Sequence, residues 1–318
     1  MPVHHAPAAT GHSRRAFIGG VVASVSLMVP RDNLLAETPA QTVLQTVAFD
    51  GDALLAAGSG LLRSDDDGES WVALSPPDDI LALATHPNRP GRIVVGRAAG
   101  GVLLSEDGGR SWELRADGMA AGEIDAIAVA AGEPDTIYAA IRGDGLWRSE
   151  NAGRTWSLGV DRPWLREAEQ DLLALASVNL ASGMGGIWLY AGTSSGLTRI
   201  PDCFCRWQSV HPGDAMDALA SGDVLPSEAP LPADEPILAL TSAPSSPGTL
   251  HAALPSGIWT SRDGGVVWSR LATGAASAVA VHSADERRLV AVLDSILTLS
   301  RDGGATWTAV TAAGESIP

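Results

Sequence analysis

The sequence predicts an all-β protein, a six-bladed β-propeller of four-stranded antiparallel blades. Three observations carry that prediction. A short phrase ending in tryptophan recurs six times. Its last residues, Trp71, Trp112, Trp156, Trp207, Trp268 and Trp307, stand 41, 44, 51, 61 and 39 residues apart. That is one propeller blade plus variable loops. Around each copy lie four short Val/Ile/Leu runs separated by Gly, Pro and Asn turns.

Along the chain, residues 1–40 read as an export signal and residues 41–318 as a single propeller domain. Ser13-Arg14-Arg15-Ala16-Phe17-Ile18 resembles the twin-arginine export signal, and residues 17–30 form an uncharged apolar run. That run suits a signal core and is short for a membrane span. Ala36 and Ala40 are the candidate cleavage points. An ordinary secretory signal and an uncleaved anchor are the alternatives. All three place the propeller in the periplasm or outside the cell.

The phrase itself is S-x-D-x-G-x-x-W. Four copies are complete: Ser64, Asp66, Gly68 and Trp71; Ser105, Asp107, Gly109 and Trp112; Ser261, Asp263, Gly265 and Trp268; Ser300, Asp302, Gly304 and Trp307. A fifth has Ser149, Asn151, Gly153 and Trp156. The sixth, residues 200–207, keeps only Asp202 and Trp207. Ser and Asp side chains satisfy backbone groups of a tight turn. The glycine takes a positive φ at low cost. The indole packs between sheets. Inner strands are expected to begin near Val43, Ile80, Ile124, Leu172, Ile237 and Ala276. A seventh blade needs ~40 further residues, and none remain. Residues 38–44 are a candidate for closing the ring.

The phrase resembles the Asp-box, or BNR, repeat of the sialidase-like superfamily. The resemblance covers nearly all of the chain beyond the signal. In domain size and repeat style it is similar to the non-catalytic members, those of the photosystem II assembly-factor type, and to the sortilin propeller. It implies a rigid disc that binds a protein or ligand without bond chemistry. The photosystem factor family carries a basic arginine patch, from which this acidic chain departs.

The formal charge is −16, and all 21 basic residues are arginine. An acidic surface argues against nucleic acid and anionic membrane as partners. A monomer with no membrane span in the mature chain and an unknown protein or glycan partner is the expectation.

Cys203 and Cys205 are the two cysteines, and both lie in the worn sixth copy. A local disulfide, a pair of buried thiols and a soft-metal site are the three readings. No metal site and no cofactor are assigned.

The turns of the phrase belong to the scaffold, so binding is sought on the other face. There Trp164 sits in a charged loop, residues 159–171, and Arg97 and Arg142 lie at middle-strand turns. Asp78, Asp79, Glu123, Asp125, Glu169, Asp171, Asp234 and Glu235 cluster at the starts of inner strands. Asp79, Glu123, Asp171 and Glu235 are the candidate rim of a negative well, where calcium or a basic segment would bind.

A glycoside hydrolase of sialidase type is the second reading. That family pairs a tyrosine nucleophile with Glu and clamps a carboxylate with three arginines. Tyr138 and Tyr190 fall at a packing position of their second strands, matched to Val95 in blade two. Arg199-Ile200-Pro201 is similar to the family's Arg-Ile-Pro motif but lies in the worn copy. His86, His211, His251 and His282 are isolated. No phosphate loop, HExxH or nucleophile elbow is present.

Overall fold

The computed structural model describes residues 44–75, 79–130, 132–182, 186–210 and 229–310. The twin-arginine segment, Asp78 and His211 lie outside them. Within the unit Ala40–Pro318, six four-stranded antiparallel sheets form a six-bladed β-propeller. The blades occupy residues 46–74, 80–115, 124–161, 174–209, 239–273 and 276–309. Each is a meander of consecutive strands, here numbered one to four from the channel outward. The inner strands of blades 1, 4 and 5 begin at Thr46, Ala174 and Ala239, two or three residues beyond the expected starts.

The inner strands share a pattern. In register against their second strands, Val47, Leu83, Ile127, Leu175, Leu240 and Val279 occupy one layer. The layer beside it holds Ala48, Ala84, Ala128, Ala176, Thr241 and Ala280. Side chains alternate between the two faces of a strand. The large residue of each blade therefore packs on the alanines of the blade before it, as Ile127 does on Ala82 and Leu175 on Ala126 and Ala128. Blades converge toward the channel, and only small side chains fit there. Six such seams make up the core.

The recurring turn latches blade to blade. In the complete copies the serine hydroxyl donates to the aspartate, as Ser64 does to Asp66 at 2.7 Å. It also accepts the amide of the glycine, Gly68, at 2.8 Å. The indole then donates to that glycine's carbonyl at 2.8–3.1 Å. Asn151 serves in place of aspartate, accepting from Ser149 at 2.9 Å. Each turn glycine faces the residue three beyond the tryptophan of the preceding blade. A Cβ on Gly68 would lie 2.1 Å from Val310, one on Gly109 2.4 Å from Leu74, and one on Gly304 2.7 Å from Leu271.

The seam between blades 6 and 1 has no strand exchange among the described residues. Leu44 and Phe49 pack there against Val290 and Leu299. Arg288 of blade 6 bonds Asp52 at 2.6 Å and Asp67 at 2.8 Å, and Arg301 bonds Asp67 at 2.9 Å.

Candidate functional site

Antiparallel meanders put the recurring turns and the first-to-second-strand loops on one face. The opposite face carries the second-to-third-strand turns and the crossings between blades. All of the candidate binding residues lie on that opposite face.

The acidic residues there act as turn caps. Asp79 accepts from Arg97 Nε at 3.0 Å and from the Ala99 amide at 2.9 Å. Burial pushes the Asp79 carboxyl up, but these bonds outweigh it and hold it below the usual range. Arg142 forks onto Asp125 at 2.9 and 2.6 Å and also pairs with Glu123. Asp171 accepts the Gly143 amide at 2.8 Å and Arg162 at 3.1 Å. Glu235 accepts the Ser256 amide at 2.8 Å. Blade 6 inverts the device: its acid sits on the turn, and Asp294 accepts the Ala275 amide at 2.8 Å. Sequence reasoning missed Asp294 because it searched only before the inner strands.

The same contacts place Arg97 and Arg142 as partners of these acids rather than as a convergent cationic clamp. Among the described residues, no group of three His, Cys, Asp or Glu side chains is arranged to hold a metal ion. Asp125 stands with the inner strands around the central channel, a cavity of about 240 Å³.

Trp164 is different. It opens a two-stranded hairpin, Trp164–Leu165 paired with Ala168–Glu169. The residue is 68% exposed. Three sets of contacts fix the hairpin, two at its base and one, from Arg166, at its tip. Arg162 pairs with Glu169 and Asp171. Arg166 reaches the carbonyl of Ala233 and, at 3.3 Å, Asp234. Gln170 accepts from Ser194 at 2.6 Å and from Ser195 at 3.0 Å. The indole is thus held out by a pinned arm. Gln170, Ser194 and Ser195 carry no motif and had no signal in the sequence.

Tyr138 and Tyr190 are buried, each 1% exposed. Register matches them to Val94 of blade 2, one residue before the expected Val95. The Tyr190 hydroxyl donates to the Gly264 carbonyl of blade 5 at 2.9 Å. Burial pushes the Tyr138 hydroxyl well above its ordinary value. Neither reaches a cleft. In the worn copy Cys203 and Cys205 are joined by a disulfide with Cα atoms 5.5 Å apart.

No family model matches the chain, and no curated protein matches it. Solved structures do. A GH74 enzyme of Niastella koreensis superposes with a TM-score of 0.60 at 15% identity, covering 86% of this chain and 46% of that one. The GH74 xyloglucanase of Xanthomonas campestris gives 0.53 at 18% identity, covering 83% and 45%. YCF48 bound to a D1 peptide gives 0.50 at 17% identity, covering 85% and 83%. At these identities the likeness shows the fold alone. The chain spans less than half the length of the GH74 structures it matches.

Proposed function

We propose that this protein is an exported Asp-box propeller that binds a protein partner on the face carrying Trp164 and performs no bond chemistry. The observation that carries the reading is the exposed Trp164 on an arm tied down at both base and tip. A large apolar ring presented on a backbone that is already held loses little backbone entropy on contact, which is the property of a binding anchor. The YCF48 structure with its bound peptide supports a peptide-binding role for a disc of this size. Signal-directed export, a monomeric state and independence from calcium belong to the same reading.

Glycoside hydrolysis is the second reading, favoured by the GH74 likeness. It needs two carboxylates at a suitable separation around a cleft. The acids of this face cap turns and pair with arginines instead.

Affinity capture from the periplasmic fraction tests the first reading, using the native chain and Trp164→Ala side by side. A partner held by the native protein and lost with Trp164→Ala supports it. Capture unaffected by the substitution, or turnover of a polysaccharide by the purified protein, overturns it.

A further inference from the structure

Three blades place an arginine at the same point, one residue before the serine position of the recurring turn: Arg63, Arg148 and Arg199. Two of them are neutralised by the residue two positions on. Arg63 meets Asp65 at 2.9 Å and also Asp50 at 2.6 Å. Arg148 meets Glu150 at 2.8 Å. In blade 4 the corresponding residues are Pro201, in place of the acid, and Val178, in place of Asp50. No carboxylate of the described residues pairs with Arg199.

Its orientation is nevertheless fixed. The guanidinium carbon lies 4.2 Å from the centre of the Trp188 ring and 5.9 Å from that of Tyr190. Nη1 donates to the Tyr190 hydroxyl at 3.1 Å. That hydroxyl is itself anchored to blade 5 through Gly264. Arg199 Nε is buried and has no hydrogen-bond partner among the described residues. A planar guanidinium is thus held in place by two aromatic rings, and no carboxylate of the described residues compensates its charge. Nε is closed to solvent, so a ligand would meet the outer guanidinium N–H groups, whose planar arrangement suits a carboxylate.

We propose that Arg199 is a carboxylate-binding site at the seam of blades 4 and 5, taking an acidic side chain or a chain-terminal carboxylate of a peptide. The ligand supplies the acid that Asp65 and Glu150 supply to the equivalent arginines. The site sits at the turn end of its strand, on the face away from Trp164, so it stands or falls independently of that surface. The overall negative charge opposes approach of an acid, so weak, millimolar binding is expected.

The test uses the whole chain with the arginine Nε–H groups followed by NMR. Three tripeptides are titrated: acetyl-Gly-Glu-Gly-amide, acetyl-Gly-Gly-Gly with a free terminus, and the fully neutral acetyl-Gly-Gly-Gly-amide. Saturable movement of the Arg199 signal with one or both acids, and none with the neutral peptide, is the expected result. The pair of acids tells a side-chain source from a terminal one. Calorimetry should show binding weakened at least about tenfold in Arg199→Lys, which keeps the charge but loses the fork. Pro201→Glu, which restores the internal acid, should abolish it. Arg199 resonances indifferent to both acids, or equal binding by Arg199→Lys, overturn the proposal even if Pro201→Glu fails to fold.

Discussion

Phe204 occupies space that Gly159 leaves empty: a Cβ on Gly159 would lie 2.6 Å from the Phe204 ring. This inverts the arrangement at the other seams. Elsewhere a turn glycine receives a side chain from the preceding blade, as Gly109 receives Leu74. Here Phe204 stands at the glycine position of the worn copy, with φ of 55°. The glycine has moved to the preceding blade, three residues after Trp156. Phe204 also lies edge-on to Tyr138, ring centres 6.2 Å apart, and under Arg148 at 5.2 Å.

The swap predicts compensation between the two sites. Gly159→Leu alone forces overpacking against the phenyl ring and should cost about 1–3 kcal/mol. Phe204→Gly alone should cost about 3 kcal/mol through the cavity it leaves. The double variant rebuilds the usual seam, so its loss should be well below the sum of the two. Urea unfolding of the four proteins measures the coupling. Strict additivity would mean that the two residues do not share one space.

The turn phrase made the blade count and order legible, because serine, aspartate, glycine and tryptophan each answer a local demand of one turn. The alternation of alanine with larger residues in strands such as 80–85 was equally visible in the residues, but its meaning depends on which blade each face meets. The Trp164 hairpin was read as a loop for a physical reason. Its central residues, Arg166 and Glu167, both have positive φ, 48° and 66°. Such turns normally announce themselves with Asn, Asp or Gly. Likewise Asp79 and Asp171 were legible as acids before inner strands, whereas Arg97 and the Gly143 amide that engage them lie 18 and 28 residues away in the chain.

Acid should open the seam of blades 5 and 6. His251 is 4% exposed, and neither ring nitrogen has a hydrogen-bond partner among the described residues. It stands in a polar row with Thr241 and Thr260, where blades 3 and 4 place Tyr138 and Tyr190. Burial, reinforced by Arg262 and only partly offset by Glu286, lowers the imidazole from 6.5 to about 4. The unfolded chain therefore takes up this proton first. The stability from keeping it neutral is complete above pH 6.5 and drains as the pH falls to about 4. The loss should approach about 3 kcal/mol. His86 shifts in the same direction, so the diagnostic quantity is the difference between native protein and His251→Tyr in urea midpoints from pH 7 to 4. Asp66, Asp107 and Asp302, held at about 2 chiefly by hydrogen bonds from Ser70, Ser111 and Thr306, lose most of their contribution below pH ~4 and equally in both proteins. Parallel curves for the two proteins would exclude His251 as the origin.

The Cys203–Cys205 disulfide spans a turn that lacks the serine and glycine of its counterparts, with Ile200 and Phe204 in their places. It replaces hydrogen bonds with a covalent closure of a very short loop. Chain-entropy arguments give such a loop about 1–2 kcal/mol. Cys203→Ser with Cys205→Ser should lower stability by that amount, and a reductant should lower the native protein to the same level without affecting the variant. A melting temperature unmoved by both treatments would show that Phe204 packing alone holds the turn.

Closure of the ring should depend on salt. Among the described residues, no strand of blade 1 joins blade 6, so the last seam relies on apolar packing and on Arg288 and Arg301 with Asp52 and Asp67. Arg288 is largely sheltered, and its guanidinium carbon also lies 5.5 Å from the Phe49 ring centre. A partly buried network bridging two elements contributes more than an isolated surface pair, whose typical value is under ~1 kcal/mol. Arg288→Gln should therefore cost about 2 kcal/mol. Raising salt from low to high concentration should reduce the gap between native protein and variant, since screening weakens only the ion pairs. A gap that persists unchanged in high salt would assign the loss to Phe49 packing, and the seam would then be closed by apolar contact alone.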